Sequence, residues 1–227
     1  MIKGVKFKMI QVEGGTFDMK YAVSSGFLGL SSKEIKQKTT LSDYYIGETQ
    51  VTQALWKAVM GNNPSRFEGD NLPVECVSWN DCETFISRLN SITGKNFRLP
   101  TEAEWEFAAR GGNKSSHYQY SGSNNLNDVA WYADNSGNKT HAVATKHPNE
   151  LGIYDMSGNV WEWCSDWYGN YSSSSQTNPQ GPNSGSSRVF RGGSWDYDAR
   201  YCRSSFRNYF IPFISYFNLG LRLVLVP

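Results

Sequence analysis

Between Phe206 and Phe217, eight of twelve residues are bulky and apolar: Phe206, Tyr209, Phe210, Ile211, Phe213, Ile214, Tyr216 and Phe217. Their spacing is neither the alternation of a half-buried strand nor the i, i+3, i+4 stripe of a helix. Pro212 bars the middle of a sheet, because it cannot donate to a hydrogen-bond ladder. The residues that follow, "NLGLRLVLV", already supply an apolar terminal strand. An exposed regular strand of this composition would also be an aggregation hazard. The fold must therefore spread these rings over an irregular, rigid surface or bury them as core.

The rest of the chain narrows the choice. At 227 residues it can bury a substantial core as a single domain, read here as residues 1–227. A formal charge of +1 lacks the basic excess of a nucleic-acid binder. Aromatic residues at 15% together with 21 glycines describe loops pinned by large rings. The four cysteines, Cys76, Cys82, Cys164 and Cys202, match no zinc spacing and are too few for a disulfide scaffold. They read as small buried hydrophobes, with one bridge allowed. No stretch is long and apolar enough for a membrane span, and the N-terminus as given is not a secretory signal.

Helix signals gather in the first half. Thr52 opens "QALWKAVM", which stops at Gly61. Ser78–Asn80 opens a second helix that runs to Gly94, with Phe85, Leu89 and Ile92 on one face. Thr101 with Glu104 forms a capping box for a third, ended by the glycines after Arg110. Residues 1–50 read as short strands and hairpins, and helix signals vanish from 113 to 187. The low-complexity segment 172–187 reads as a surface loop, because the strand-like "RVFRGGSW" after it needs upstream partners. The class is α+β, with small antiparallel sheets, two to three helices and long irregular loops. Trp161, Trp163 and Trp167 read as a core cluster, and Glu102, Glu104 and Glu106 with Arg98 and Arg110 as a structural ion-pair network.

Three stretches, "NNPSRFEGDNLPVECVSWNDCETFISRLNSITGKNFRLPTEAEWEFAARGG", "NELGIYDMSGNVWEWCSDWYG" and "RVFRGGSWDYDARYCRSSFRN…NLGLRLV", resemble the formylglycine-generating-enzyme (sulfatase-modifying factor) domain, in that family's order and over nearly the whole chain. The resemblance implies a C-type-lectin-like fold. It also implies a test for catalysis, since the family's enzymes oxidise a substrate cysteine with copper held by two cysteines near the C-terminus. Here the first falls at Asp196–Tyr197 and only Cys202 remains. One thiolate cannot make the two-sulfur site that Cu(I) prefers. His117, His141 and His147 lie far upstream, so no replacement metal set is expected and catalysis is not expected. The loop "YDMSGNVWEW" resembles a calcium loop of the family, with Asp155 and Glu162 as side-chain ligands and carbonyls of Gly158 and Val160 beside them. Calcium is the one cofactor expected, in a structural role; none is required.

Some proteins of this fold are targets of diversity-generating retroelements, which randomise template adenines at the gene's 3′ end. Asn codons ending in a pyrimidine then scatter into Tyr, Phe, Ile, Asp and Ser, and never into Lys, Glu, Gln, Met or Trp. From Asp196 to Asn218 the chain contains residues of the first set and none of the second. The resemblance thus implies a variable region at about 190–218. Its positions are Asp196, Tyr197, Asp198, Tyr201, Phe206, Tyr209, Phe210, Ile211, Phe213, Ile214, Tyr216 and Phe217, with Phe190 and Ser215 as weaker members. Asn208 and Asn218 are positions left unchanged or fixed. Trp195 and Arg203 are expected to hold the loop, or equally to be ordinary framework packing.

Such a face resembles a paratope: Tyr and Phe give large contact area at small rotamer cost. Asp196 and Asp198 are expected as polar selectivity at its rim. The expected function is therefore non-catalytic binding of a macromolecular ligand, a protein rather than a sugar, by a monomer displayed on a cell or phage surface. A thiol-oxidising enzyme of the family and a fixed accessory or sensory domain are the alternatives. The last would make the aromatic run core.

Overall fold

The computed structural model describes residues 2–25, 31–172 and 174–226, with side chains at 20–25 and 31–35 left undescribed. In chain order the strands and α-helices are β1 (Met9–Val12), β2 (Gly15–Ser25), β3 (Ser31–Leu41), β4 (Tyr44–Gly47), α1 (Gln53–Met60), α2 (Trp79–Thr93), β5 (Phe97–Arg98) and α3 (Glu102–Ala109). Then follow α4 (Leu126–Val129), β6 (Trp161–Trp167), β7 (Gln176–Thr177), β8 (Arg188–Arg191), β9 (Arg207–Phe210), β10 (Leu219–Leu221) and β11 (Val224–Leu225).

The helices begin and end where cap chemistry places them. Thr52 accepts from Leu55 N at the start of α1, and Gly61 closes it at φ 85°. Ser78 with Asp81, and Thr101 with Glu104, form reciprocal capping boxes for α2 and α3. On α2, Cys82, Phe85, Ile86 and Leu89 are buried, whereas Ile92 is 52% exposed. The last turn of the helix outruns the core it packs on, so Ile92 leaves the face that its spacing assigned it. The one-turn helix α4 interrupts the 113–187 region, opened by Asn125, whose side chain accepts from Asn127 N.

Three sheets result, ordered β1-β4-β11-β5, β10-β6-β8-β9 and β2-β3-β7. The chain's last residues join the first two sheets. Leu219–Leu221 runs parallel to Trp161–Trp163, and Val224–Leu225 lies between β4 and β5. The expected terminal strand is thus two short ones, divided at Arg222. All four cysteines are free, with Cys82, Cys164 and Cys202 buried. Trp161 and Trp163 belong to the core, while Trp167 is half-buried and carries the Arg188 guanidinium 3.5 Å over its ring.

At the crossing of the sheets, Arg222 and Glu162 have fully buried side chains. Nε and Nη2 of Arg222 donate to the two Glu162 oxygens at 2.9 and 2.7 Å. Nη1 donates to Gly47 O and Nη2 also to Tyr154 O. Trp105 Nε1 on α3 donates to Glu162 as well, at 2.7 Å. A second network runs along α3: Arg98 on Glu104, Arg110 and Arg191 on Glu106, and Arg207 on Glu102 at 2.7 Å. It contains the ion pairs expected from the sequence and adds two arginines from far downstream.

Removing one partner of a buried pair strands the other charge, at about 3–5 kcal/mol. Arg222→Met should lower unfolding stability by about that amount in urea denaturation. A loss below about 1 kcal/mol would show that Glu162 is not held as described.

Candidate functional site: an aromatic face on the C-terminal loop

The face is built on a floor of Trp161, which meets Phe190 at 5.0 Å, Tyr197 at 5.4 Å and Phe206 at 6.1 Å between ring centroids. Tyr201 stands edge-on to both Tyr197 and Phe206. A second chain of rings runs Phe210–Tyr216–Phe217–Trp195. The pKa of Tyr197 is raised, first by burial and then by Asp196, Tyr201 and Tyr216 nearby. Phe213, Tyr209 and Tyr216 are the most exposed large side chains here, at 67%, 47% and 44%. Asp198 and Ser215 are exposed too, and Asp196, Tyr197, Tyr201, Phe206, Phe210, Ile211, Ile214 and Phe217 are half-buried.

Phe190 departs from this pattern. It is 8% exposed and packs edge-on against both Trp161 and Trp163 of β6, within the main hydrophobic core. It belongs to the core and not to the face. Part of the tail is also more regular than its spacing suggests: Arg207–Phe210 forms the edge strand β9, paired residue by residue with β8.

What holds the loop beyond β9 is mostly backbone. Cys76 N donates to Tyr216 O at 2.9 Å, Asn80 N to Pro212 O at 3.2 Å, and Trp161 N to Asn218 O at 2.8 Å. Ala133 N reaches Tyr197 O at 3.1 Å, and Trp195 Nε1 lies 3.5 Å from Phe217 O. These bonds use carbonyls that every residue type has, so they are indifferent to the side chains outside. Cys76 reaches its position at φ 60°, a left-handed conformation rare for cysteine. Sequence reasoning gave no sign of Cys76 or Asn80 as loop holders, since the contacts are long-range and use only main chain. Arg203 is exposed and donates to Arg200 O three residues back.

Asp196 does different work from the rim role expected of it. Its carboxylate accepts from Ser194 Oγ at 2.7 Å and from Asn218 Nδ2 at 3.0 Å, tying the two ends of the loop together. Asp198 is the freer acid, its exposed side chain 3.6 Å from Arg200.

Of the residues expected to carry calcium, Asp155 is buried and accepts from Ala144 N at 2.8 Å, and burial lifts its carboxyl to about 6. Glu162 is neutralised by Arg222. The oxygens Asp155 O, Gly158 O, Val160 O and Glu162 Oε1 do converge, on Gln50 Nε2 at 2.9–3.3 Å. An oxygen ring of the kind a hard cation takes is therefore present with an amide at its centre, and a calcium ion there would have to displace that amide.

The oxidising chemistry of the family's enzymes would centre on Asp196–Tyr197 and Cys202. Cys202 is buried against the Gly-Gly turn, where a side chain at Gly193 (φ 78°) would come within 2.6 Å of its sulfur. Burial pushes its thiol up to about 12, so it stays protonated at neutral pH, and the thiol rather than thiolate is a poor metal ligand.

The family profile of the sulfatase-modifying factor enzyme 1-like domain matches residues 4–226. The chain belongs to this family. Among its relatives are chaperone protein LppX of Paenibacillus barcinonensis, 38% identical over 82% of this chain and 78% of that protein, and the formylglycine-generating enzyme of Mus musculus, 34% identical over 89% of this chain. The chain spans 58% of the mouse enzyme's length. Among solved structures, Treponema denticola variable protein 1 superposes with a TM-score of 0.91 at 35% identity, covering 100% of this chain and 98% of that one. The C-type-lectin-like α+β fold expected from the resemblance is the fold of this family member.

If Asp196 is the clasp, Asp196→Ala leaves the buried Ser194 hydroxyl and Asn218 amide unpaired and should cost about 1–3 kcal/mol in chemical denaturation. Phe213→Asn, at an exposed site, should change stability by no more than about 0.5 kcal/mol. Equal costs would contradict the division between clasp and face.

Proposed function

We propose that this chain is a non-catalytic ligand-binding protein whose C-terminal face is diversified by a retroelement. One observation carries the reading. Every position expected to vary, apart from Phe190, is exposed or half-buried. The loop is carried by main-chain bonds to residues outside the variable set, and of the variable side chains Asp196 also helps to hold it. The alternative of an aromatic core predicts buried rings at Phe213, Tyr209 and Tyr216, which are the most exposed in the tail. The likeness to a variable protein over the full chain supports the same reading.

A contiguous apolar surface of this kind on a monomer marks a partner site. Its breadth and its ring content suit a protein ligand, with the exposed rings as anchors that desolvate on contact. The protein acts as a monomer on the surface of a cell or phage, and its binding requires no cofactor. Thiol oxidation has no support from Cys202, which is buried with its thiol pKa raised, while the place of the enzymes' other cysteine falls at Asp196–Tyr197.

Sequencing codons 188 to 224 across a population of the source organism, with the flanking DNA, tests the proposal. The expected result is substitution confined to the variable positions, matching adenines in a nearby, nearly identical repeat. An invariant tail with no such repeat would leave a fixed interface in place of a diversified one.

A further inference from the structure

Beside the variable rings lies a cavity made wholly of residues outside the variable set. Phe67 stands edge-on to Trp195 at 5.5 Å, and Trp195 packs on Phe217 at 5.8 Å. The Arg66 guanidinium lies over both Phe67 and Phe217, at 5.4 and 5.2 Å from their centroids. On the far side of Phe67 opens a space of 550 Å³ lined in part by Arg66, Phe67, Glu68, Lys139, Thr140 and His141. The aromatic rings therefore continue off the variable loop and end at this open space.

The pocket's chemistry is lopsided. Arg66 and Lys139 are exposed and form no ion pair among the described residues, and Glu68 is the one acid of the lining. His141 is held in place, its ring stacked 3.7 Å from Trp131 and its Nε2 2.7 Å from Ser136 O. That bond makes Nε2 the donor, because a carbonyl can only accept. The decisive residue is Thr140. Its side chain is 3% exposed, and its hydroxyl finds no partner among the described residues. A buried hydroxyl without a partner is costly and needs a reason. Two exposed cations without a salt bridge and a buried hydroxyl without a partner among the described residues border one cavity, a set that an oxyanion would satisfy.

We propose that this cavity is a fixed subsite of the ligand-binding face, which seats a carboxylate of a protein ligand next to an apolar side chain packed on Phe67. The inference rests on the ligand-binding reading and adds to it. The variable rings choose among ligands, while Arg66, Lys139 and Thr140 demand one acidic residue from all of them. The variable positions themselves offer no cation, so the charge for that contact comes from the framework.

The test uses the full chain, ¹⁵N-labelled, titrated with the probe N-acetyl-Phe-Glu-amide. Saturable shifts are expected at the amides of Arg66, Phe67, Thr140 and His141, with binding at least about tenfold weaker for N-acetyl-Phe-Gln-amide, in line with the strength of charge-assisted bonds. The double variant Arg66→Gln/Lys139→Gln, altered only at exposed side chains, should lose the shifts and keep its fold. Thr140→Val should weaken binding several-fold without moving the rest of the spectrum. Phe213→Ala should leave the probe's affinity unchanged, which separates this subsite from the variable face. Equal binding of the glutamine peptide, or no saturable shift, would overturn the proposal. Inorganic phosphate binding as tightly as the glutamate peptide would overturn it too, leaving a simple anion site. None of these outcomes alters the codon-sequencing result, so the two readings fail separately.

Discussion

The fold hangs on one buried ion pair. Arg222 stands where the chain leaves one sheet for another, and its guanidinium joins Glu162 on β6 to the Gly47 and Tyr154 carbonyls. Trp105 of α3 and the Gln50 amide complete the coordination of Glu162. An unpaired charge in that interior would be prohibitive, so each partner dictates where the others go. β10 then runs parallel to β6, and the loop just before it is delivered to the edge of the same sheet. The place of the aromatic loop is a consequence of where Arg222 must sit.

That arrangement separates two jobs which proteins usually mix. The framework is defined by charges, caps and tryptophans whose replacement is costly. The face is attached to it by carbonyls, by the Arg207–Glu102 pair under β9 and by the Asp196–Asn218 clasp. Side chains on the solvent side of such a loop carry little of the folding energy and can be exchanged for the sake of binding. Tyr168 adds a fixed platform, stacked 3.9 Å from the Tyr209 ring and itself beneath the Arg207 guanidinium. Ring-on-ring contacts of this kind limit motion without specifying a unique partner.

Much of this was legible in the sequence, for local reasons. Thr52, Ser78 and Thr101 announced their helices because capping needs only residues three apart. The tail announced itself by lacking any period. What was hidden depended on distant partners. Phe190 looked like a variable ring until Trp161 and Trp163 of β6 closed on it. Asp196 looked like a rim charge until Asn218 closed on it across 22 positions. Ile92 had the right spacing for burial but no core opposite it. Arg66 and Phe67 carried no sign at all of their place beside Phe217, since nothing in a loop's own residues says which ring it will meet.

The central claim is that a rigid framework carries a face whose side chains the fold does not need. Display of every single substitution across residues 190–218, sorted by resistance to protease, measures this directly. The account predicts broad tolerance at Tyr209, Phe213, Ser215 and Tyr216, and sharp intolerance at Phe190, Trp195, Arg207 and Asn218. Uniform intolerance along the tail would contradict it and make the aromatic run part of the core.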